Sequence, residues 1–260
     1  MKRFLIFTIL IGFTSILFSQ NTRINEKNNI GWFNFNNTFK LNSKFAMHTE
    51  YQWRRTEYIK NWQQSLLRLG VNYQLNSSVQ LRAGYAWIET FPYGTTPLNG
   101  FGKDFTEHRT FEMATLNNKV SIVDFSHRFM LEQRWIGKYS TSNLDTEDQF
   151  LFSNRFRYMF RMQLPLKGNS IADKTPYVAL YDELFIGFGQ NVNENIFDQN
   201  RFGLLLGYKF NNNLRIEAGY LNQTLQLGRK ISARNVFQSN SGFIISTILN
   251  FDLSNNSEKF

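Results

Sequence analysis

The octapeptide RFMLEQRW, residues 128–135, alternates without interruption. One face carries Arg128, Met130, Glu132 and Arg134, the other Phe129, Leu131, Gln133 and Trp135. A period of two belongs to a β-strand whose two faces meet different surroundings. Whether the Phe–Leu–Trp face meets a protein core or lipid decides the fold.

The same separation recurs on both sides of this stretch. In LLRLGVNYQL, Leu67, Leu69, Val71, Tyr73 and Leu75 oppose Arg68, Gly70, Asn72 and Gln74; then Val79, Leu81, Ala83, Tyr85 and Trp87 oppose Gln80, Arg82 and Gly84. Phe150, Phe152, Phe156, Tyr158, Phe160, Met162 and Leu164 oppose Ser153, Arg155, Arg157, Arg161 and Gln163. Asn154 shares the aromatic row, and Leu151 and Met159 share the charged one. Farther on, Phe202, Leu204, Leu206, Tyr208 and Phe210 face away from Arg201 and Lys209, and Leu214, Ile216, Ala218 and Tyr220 away from Arg215 and Glu217. Strands of soluble sheets run about 5 to 6 residues, whereas a tilted strand crossing a bilayer needs about 9 to 11. These segments are of the longer kind, so the apolar rows are expected to face lipid and the Arg/Glu/Gln rows a lumen.

Two kinds of connection join the segments. NSK at 42–44, NSS at 76–78, NNK at 117–119 and NNN at 211–213 have tight-turn chemistry, because Asn tolerates positive φ and bonds its own backbone. The stretches 91–105, 137–147 and 189–198 are longer. Short turns at one end and long loops at the other describe an up-and-down barrel. Eleven segments are distinct, starting near residues 31, 45, 62, 79, 107, 121, 148, 175, 199, 214 and 236. Bacterial single-chain barrels usually have an even number, so about 12 strands (10–12) are expected, with the polar NTRINEKNN a candidate for the additional one. FIISTILNF, residues 243–251, reads as a closing strand, and either Phe251 or Phe260 as the assembly signal.

The first residues, MKRFLIFTILIGFTSILFSQ, place Lys2 and Arg3 before an apolar run, as in a secretory signal peptide. The expected division is a signal peptide over 1–19 and a single barrel domain over 20–260. Removing Lys2 and Arg3 lowers the formal charge from +9 by two, to +7. No cysteine is present, which excludes disulfides, thiolate metal sites and a cysteine lipid anchor. Aromatic residues make up 17% of the chain while mean hydropathy is −0.38, a combination that alternating strands produce.

The candidate chemistry lies in the charged rows. Glu50, Gln52 and Arg54 share one face of HTEYQWRR; Glu132 and Arg134 share a face from which Gln133 points away. With Arg68, Arg82, Arg128, Arg155, Arg157, Glu183, Arg201, Arg215 and Glu217 they form the expected lumen charge network. Carboxylates and guanidinium groups satisfy one another in a dry interior. The network is therefore either internal glue that plugs the barrel or the wall of a narrow pore for small anions. Asp182, next to Glu183, is expected near the strand boundary.

The Trp32 segment, HTEYQWRR, LLRLGVNYQLNSSVQLRAGYAW and above all SHRFMLEQRW resemble the DUF 2490 family. That resemblance implies an exported, outer-membrane barrel of the kind found in Bacteroidota, and brings no activity, substrate or cofactor.

An enzyme is the reading from another class. A membrane-embedded lipid hydrolase would use His127 or His108 with a serine on the same face, but Ser126 points away from His127 and no Gly-x-Ser-x-Gly elbow occurs. A soluble periplasmic barrel that binds a ligand is the third. The expectation is a non-enzyme of the bacterial outer membrane without metal or cofactor. Its expected partners are outer-membrane lipid, the barrel-assembly machinery and small anions; nucleic acid is not expected.

Overall fold

The computed structural model describes residues 23–254; the expected signal peptide and Phe260 lie outside the described residues. Eleven strands form a closed barrel: β1 (Arg23–Lys40), β2 (Phe45–Thr56), β3 (Asn61–Gln74), β4 (Val79–Thr90), β5 (Phe105–Val120), β6 (Val123–Lys138), β7 (Gln149–Pro165), β8 (Thr175–Phe188), β9 (Phe197–Lys209), β10 (Leu214–Ile231) and β11 (Arg234–Asp252). Each strand pairs antiparallel with its sequence neighbours. The exception is the seam, where β1 and β11 run parallel, from Arg23 opposite Asn235 to Lys40 opposite Asp252.

This seam resolves the odd strand count. The segment Arg23–Asn29, a candidate for an extra strand, instead lengthens β1 to 18 residues, and the parallel pairing closes an odd number without a twelfth strand. The backbones meet tightly there: a Cβ on Gly242 would lie 1.7 Å from the Ile30 carbonyl oxygen.

The outer surface is an apolar band. Phe35, Met47, Leu69, Val71, Trp87, Phe129, Leu131, Phe156, Leu204, Leu206 and Ile245 are all exposed on it. That much contiguous apolar surface is foreign to a soluble monomer. Aromatic rings crowd both rims: Trp53, Trp62 and Phe91 at one end, Phe39 on Phe251, Phe45 on Tyr73 and Tyr208 on Phe210 at the other. Two girdles around an apolar band are the signature of a membrane barrel.

The long connections 91–104, 139–148 and 189–196 share one end, here the loop end. The alternation is looser than the sequence suggests. Tight connections at 57–60 and 232–233 also lie at the loop end, and the nine-residue stretch 166–174 lies at the opposite, turn end. NNK at 117–119 is not a turn but the last part of β5; the chain reverses at Ser121, whose φ is 56°. At the other Asn-rich turns the side chain of the first Asn accepts the amides two and three residues on, as Asn42, Asn76 and Asn211 each do.

Candidate functional site: a filled, charged lumen

Eight strands fill side chains into a barrel of ordinary width; eleven enclose more space, and here arginine, tyrosine and tryptophan reach across it. All fourteen residues of the expected network lie on strand faces that point inward, and most are buried. They do not form one ladder but three clusters and a remainder.

The largest cluster joins β5 to β9. Glu132 is 1% exposed; it accepts Arg155 Nε at 2.7 Å and Arg157 Nη1 at 2.7 Å, with Arg109 3.7 Å away. Arg157 continues to Glu183 at 2.7 Å, which also holds Arg128 at 2.7 Å, and Arg155 continues to Asp198 at 2.5 Å. Glu107 receives Arg109 at 2.6 Å and Arg134 at 2.5 Å. A second cluster joins β2 and β3: Glu50 accepts Arg68 at 2.5 Å and the Gln52 amide, and Gln52 in turn accepts Arg54 at 2.8 Å. The third lies toward the turn end, where Glu217 accepts Arg161 at 2.5 Å and the Tyr177 hydroxyl at 2.7 Å.

Arg54, Arg82, Arg201 and Arg215 form no ion pair among the described residues. Arg82 donates to Asn72 Oδ1 at 2.5 Å. Arg54 stacks on the Trp32 ring at 3.9 Å. Arg201 lies over Phe185 at 4.6 Å and Trp32 at 5.0 Å, and its Nε has no hydrogen-bond partner.

Apolar side chains complete the filling. Ile30, Trp32, Tyr177, Ala179, Tyr181, Leu205, Leu221 and Ile244 form one inward-facing buried cluster, against which Met159 and Ile171 pack; Phe111, Met113 and Met130 form another. The tyrosines fit because glycines face them: a Cβ at Gly203 would stand 2.2 Å from the Tyr181 ring, and one at Gly207 2.3 Å from Tyr177. Ile171 belongs to the 166–174 connection, which thereby reaches into the turn end.

Above this filling, at the loop end, lies a chamber of about 240 Å³. Its wall includes Arg54, Arg109, Arg134, Lys138, Arg155 and Arg201 against the carboxylates Glu107 and Asp198. The loop 91–104 contributes Tyr93 and Leu98. That loop is anchored on the far wall: Thr96 bonds Glu26, its carbonyl accepts Gln238 at 2.7 Å, and the Pro97 carbonyl accepts Arg229 at 2.8 Å. Burial pushes the Tyr93 hydroxyl above its ordinary pKa, so it stays a neutral donor.

The family model described as "Protein of unknown function (DUF2490)" matches residues 29–233. The chain belongs to this family. No curated protein matches the chain. Among solved structures, a NanC porin in a rhombohedral crystal form is similar, with 12% sequence identity and a TM-score of 0.44, covering 82% of this chain and 94% of that one.

In this DUF2490 barrel, sequence reasoning missed Glu107, Arg109, Asp198 and Trp32. Glu107 and Arg109 share a face with Phe111 and Met113, while Thr110 and Glu112 point outward, so on β5 the polar-in, apolar-out rule is inverted near its middle. The spacing of Glu107 and Arg109 alone would have placed them on one face. Asp182 departs from its expected position: it lies on the outer face in the middle of β8, where Asn200 donates to both its oxygens at 2.8 and 3.0 Å. That local pairing satisfies a carboxylate on the outer face. His127 and His108 are both on the outer face, bonded through Nδ1 to Tyr158 and Tyr85 at 2.9 and 2.5 Å. Ser126 points inward, away from His127.

Proposed function

We propose that this is an outer-membrane barrel closed at mid-depth, in which the expected charge network acts as internal bracing, and not an open pore. The observation that carries this reading is the filled midsection. Trp32, Phe111, Met130, Phe185, Glu132 and Arg155 all lie within 2% exposure, and they come from β1, β5, β6, β7 and β8, so the filling extends from several sides of the wall. The apolar band and its two aromatic rims support placement in a membrane, and the signal sequence read over 1–19 supports the outer one. A lipid hydrolase is disfavoured because each outward histidine is bonded to a tyrosine and not to a serine.

The test is current across a planar bilayer that holds the refolded protein under a salt gradient. Wild type passes no discrete steps, and Trp32→Ala with Tyr181→Ala, which empties part of the filling, produces them. Steps of steady amplitude in wild type, with an anion-selective reversal potential, would replace the plug by a narrow anion pore. Recovery of the protein in a detergent-free soluble fraction would overturn the membrane placement itself.

A further inference from the structure

We infer that the loop-end chamber is a binding site for a small solute bearing an oxyanion, a carboxylate or a phosphate. The inference rests on the barrel proposed above for its setting, but not on whether the midsection conducts.

The chamber wall carries cations that no carboxylate contacts. Of the cations around the chamber, Arg109, Arg134 and Arg155 are matched by Glu107, Glu132 and Asp198. Arg54, Arg201 and Lys138 have no carboxylate partner among the described residues, although Arg54 is 4% and Arg201 9% exposed. A buried guanidinium that no carboxylate contacts is costly, and a bound anion lowers that cost.

The geometry of these groups suits an oxyanion. Arg54 and Arg201 share one indole, that of Trp32, which holds both planar groups in place; Trp32 is itself fixed by Nε1 donating to Gln63 at 2.7 Å. Arg201 Nε is a buried donor with nothing to bond, and its Nη2 makes only a long 3.3 Å bond to Gln199. The open N–H edge of Arg201 matches the oxygens of a carboxylate or phosphate, while Arg54, whose Nε and Nη1 already donate to Gln52 and Gln64 at 2.8 and 2.5 Å, adds positive charge beside it. Gln223 and Tyr93 also line the wall, each already bonded to Asn240 at 3.2 and 3.1 Å. A chamber of about 240 Å³ suits a small molecule.

The experiment is thermal unfolding of the full-length mature protein folded in detergent, at constant ionic strength, with inorganic phosphate in one arm and gluconate in the other against chloride. At a hundredfold excess over Kd the midpoint should rise by about 5–10 °C. A rise in the phosphate arm alone marks a tetrahedral oxyanion, in the gluconate arm alone a carboxylate, and in both the shared chemistry. Arg201→Gln and Arg54→Gln should each abolish most of the rise, while Arg215→Gln at the turn end keeps it. Folding of each variant is checked by its faster migration on an unheated gel. Should either arginine variant fail to fold, Lys138→Gln at the chamber rim serves instead and should at least halve the rise. The ligand-free Arg201→Gln barrel should unfold no earlier than wild type, since it loses a buried charge that no carboxylate contacts; a purely structural arginine would show the opposite. No rise with either anion, or an equal rise in the variants, overturns the site.

Discussion

At mid-depth Arg155 and Arg157 of β7 meet carboxylates and share Glu132, whereas beside the loop-end chamber Arg54 and Arg201 meet amides and aromatic rings. The residue type, the burial and the inward direction are the same in both regions. The difference lies in pairing. Where acid and base are matched, the arginine closes space and ties strands that are not neighbours, as Arg128 of β6 does by reaching Glu183 of β8. Where they are not matched, it holds charge in readiness for something from outside.

The strongest way to break this contrast is to remove a shared acid. Glu132→Gln keeps the shape but removes the carboxylate that Arg155 and Arg157 share, leaving them only Asp198 and Glu183, and unfolding in denaturant should show a loss of about 3–5 kcal/mol. No loss at all, the outcome expected of Arg201→Gln, would mean that the two regions do not differ. Gly203→Ala sharpens the picture of the filling: the new methyl meets the Tyr181 ring, and a loss of about 1–3 kcal/mol is expected. Tyr181→Leu in the same molecule should recover most of it, and additivity of the two changes would show that ring and glycine do not touch. The smallest effect belongs to Lys40→Ala. Its bond to Asp252 lies at 2.7 Å with both side chains about half exposed, so equilibrium unfolding should move by less than about 1 kcal/mol.

How much of this was legible in the sequence depends on the kind of information each feature needs. The two faces of RFMLEQRW are written in the chain itself, because a strand has a fixed period, and the same holds for every inward residue named from a regular segment. Which acid meets which base is not, since Arg157 reaches Glu132 and Glu183 through the register of three strands. Where a face carries mixed residues, as on β5, periodicity has no contrast to read, and Glu107 and Arg109 stayed hidden. Asp198 lies beside an irregularity in the pairing of β8 with β9, which breaks the count of two. The chamber depends on where the 91–104 loop lands, and that is set by contacts to Glu26, Gln238 and Arg229, far away in the chain.

The parallel seam has a consequence for how this molecule can be rewired. In a barrel that closes antiparallel, first and last strands end side by side, and a short turn could join them into a ring. Here the last residue of β11 and the first of β1 are at opposite rims, separated by a strand of 18 residues, roughly 60 Å at about 3.3 Å per residue. Circular permutation with a brief linker is therefore forbidden by geometry. No hairpin can dictate the alignment of this one joint, so it is specified by side chains and shape across the seam: the bare backbone of Gly242 against Ile30, Phe39 stacked on Phe251, Asn28 bonded to Asn240 and Lys40 to Asp252.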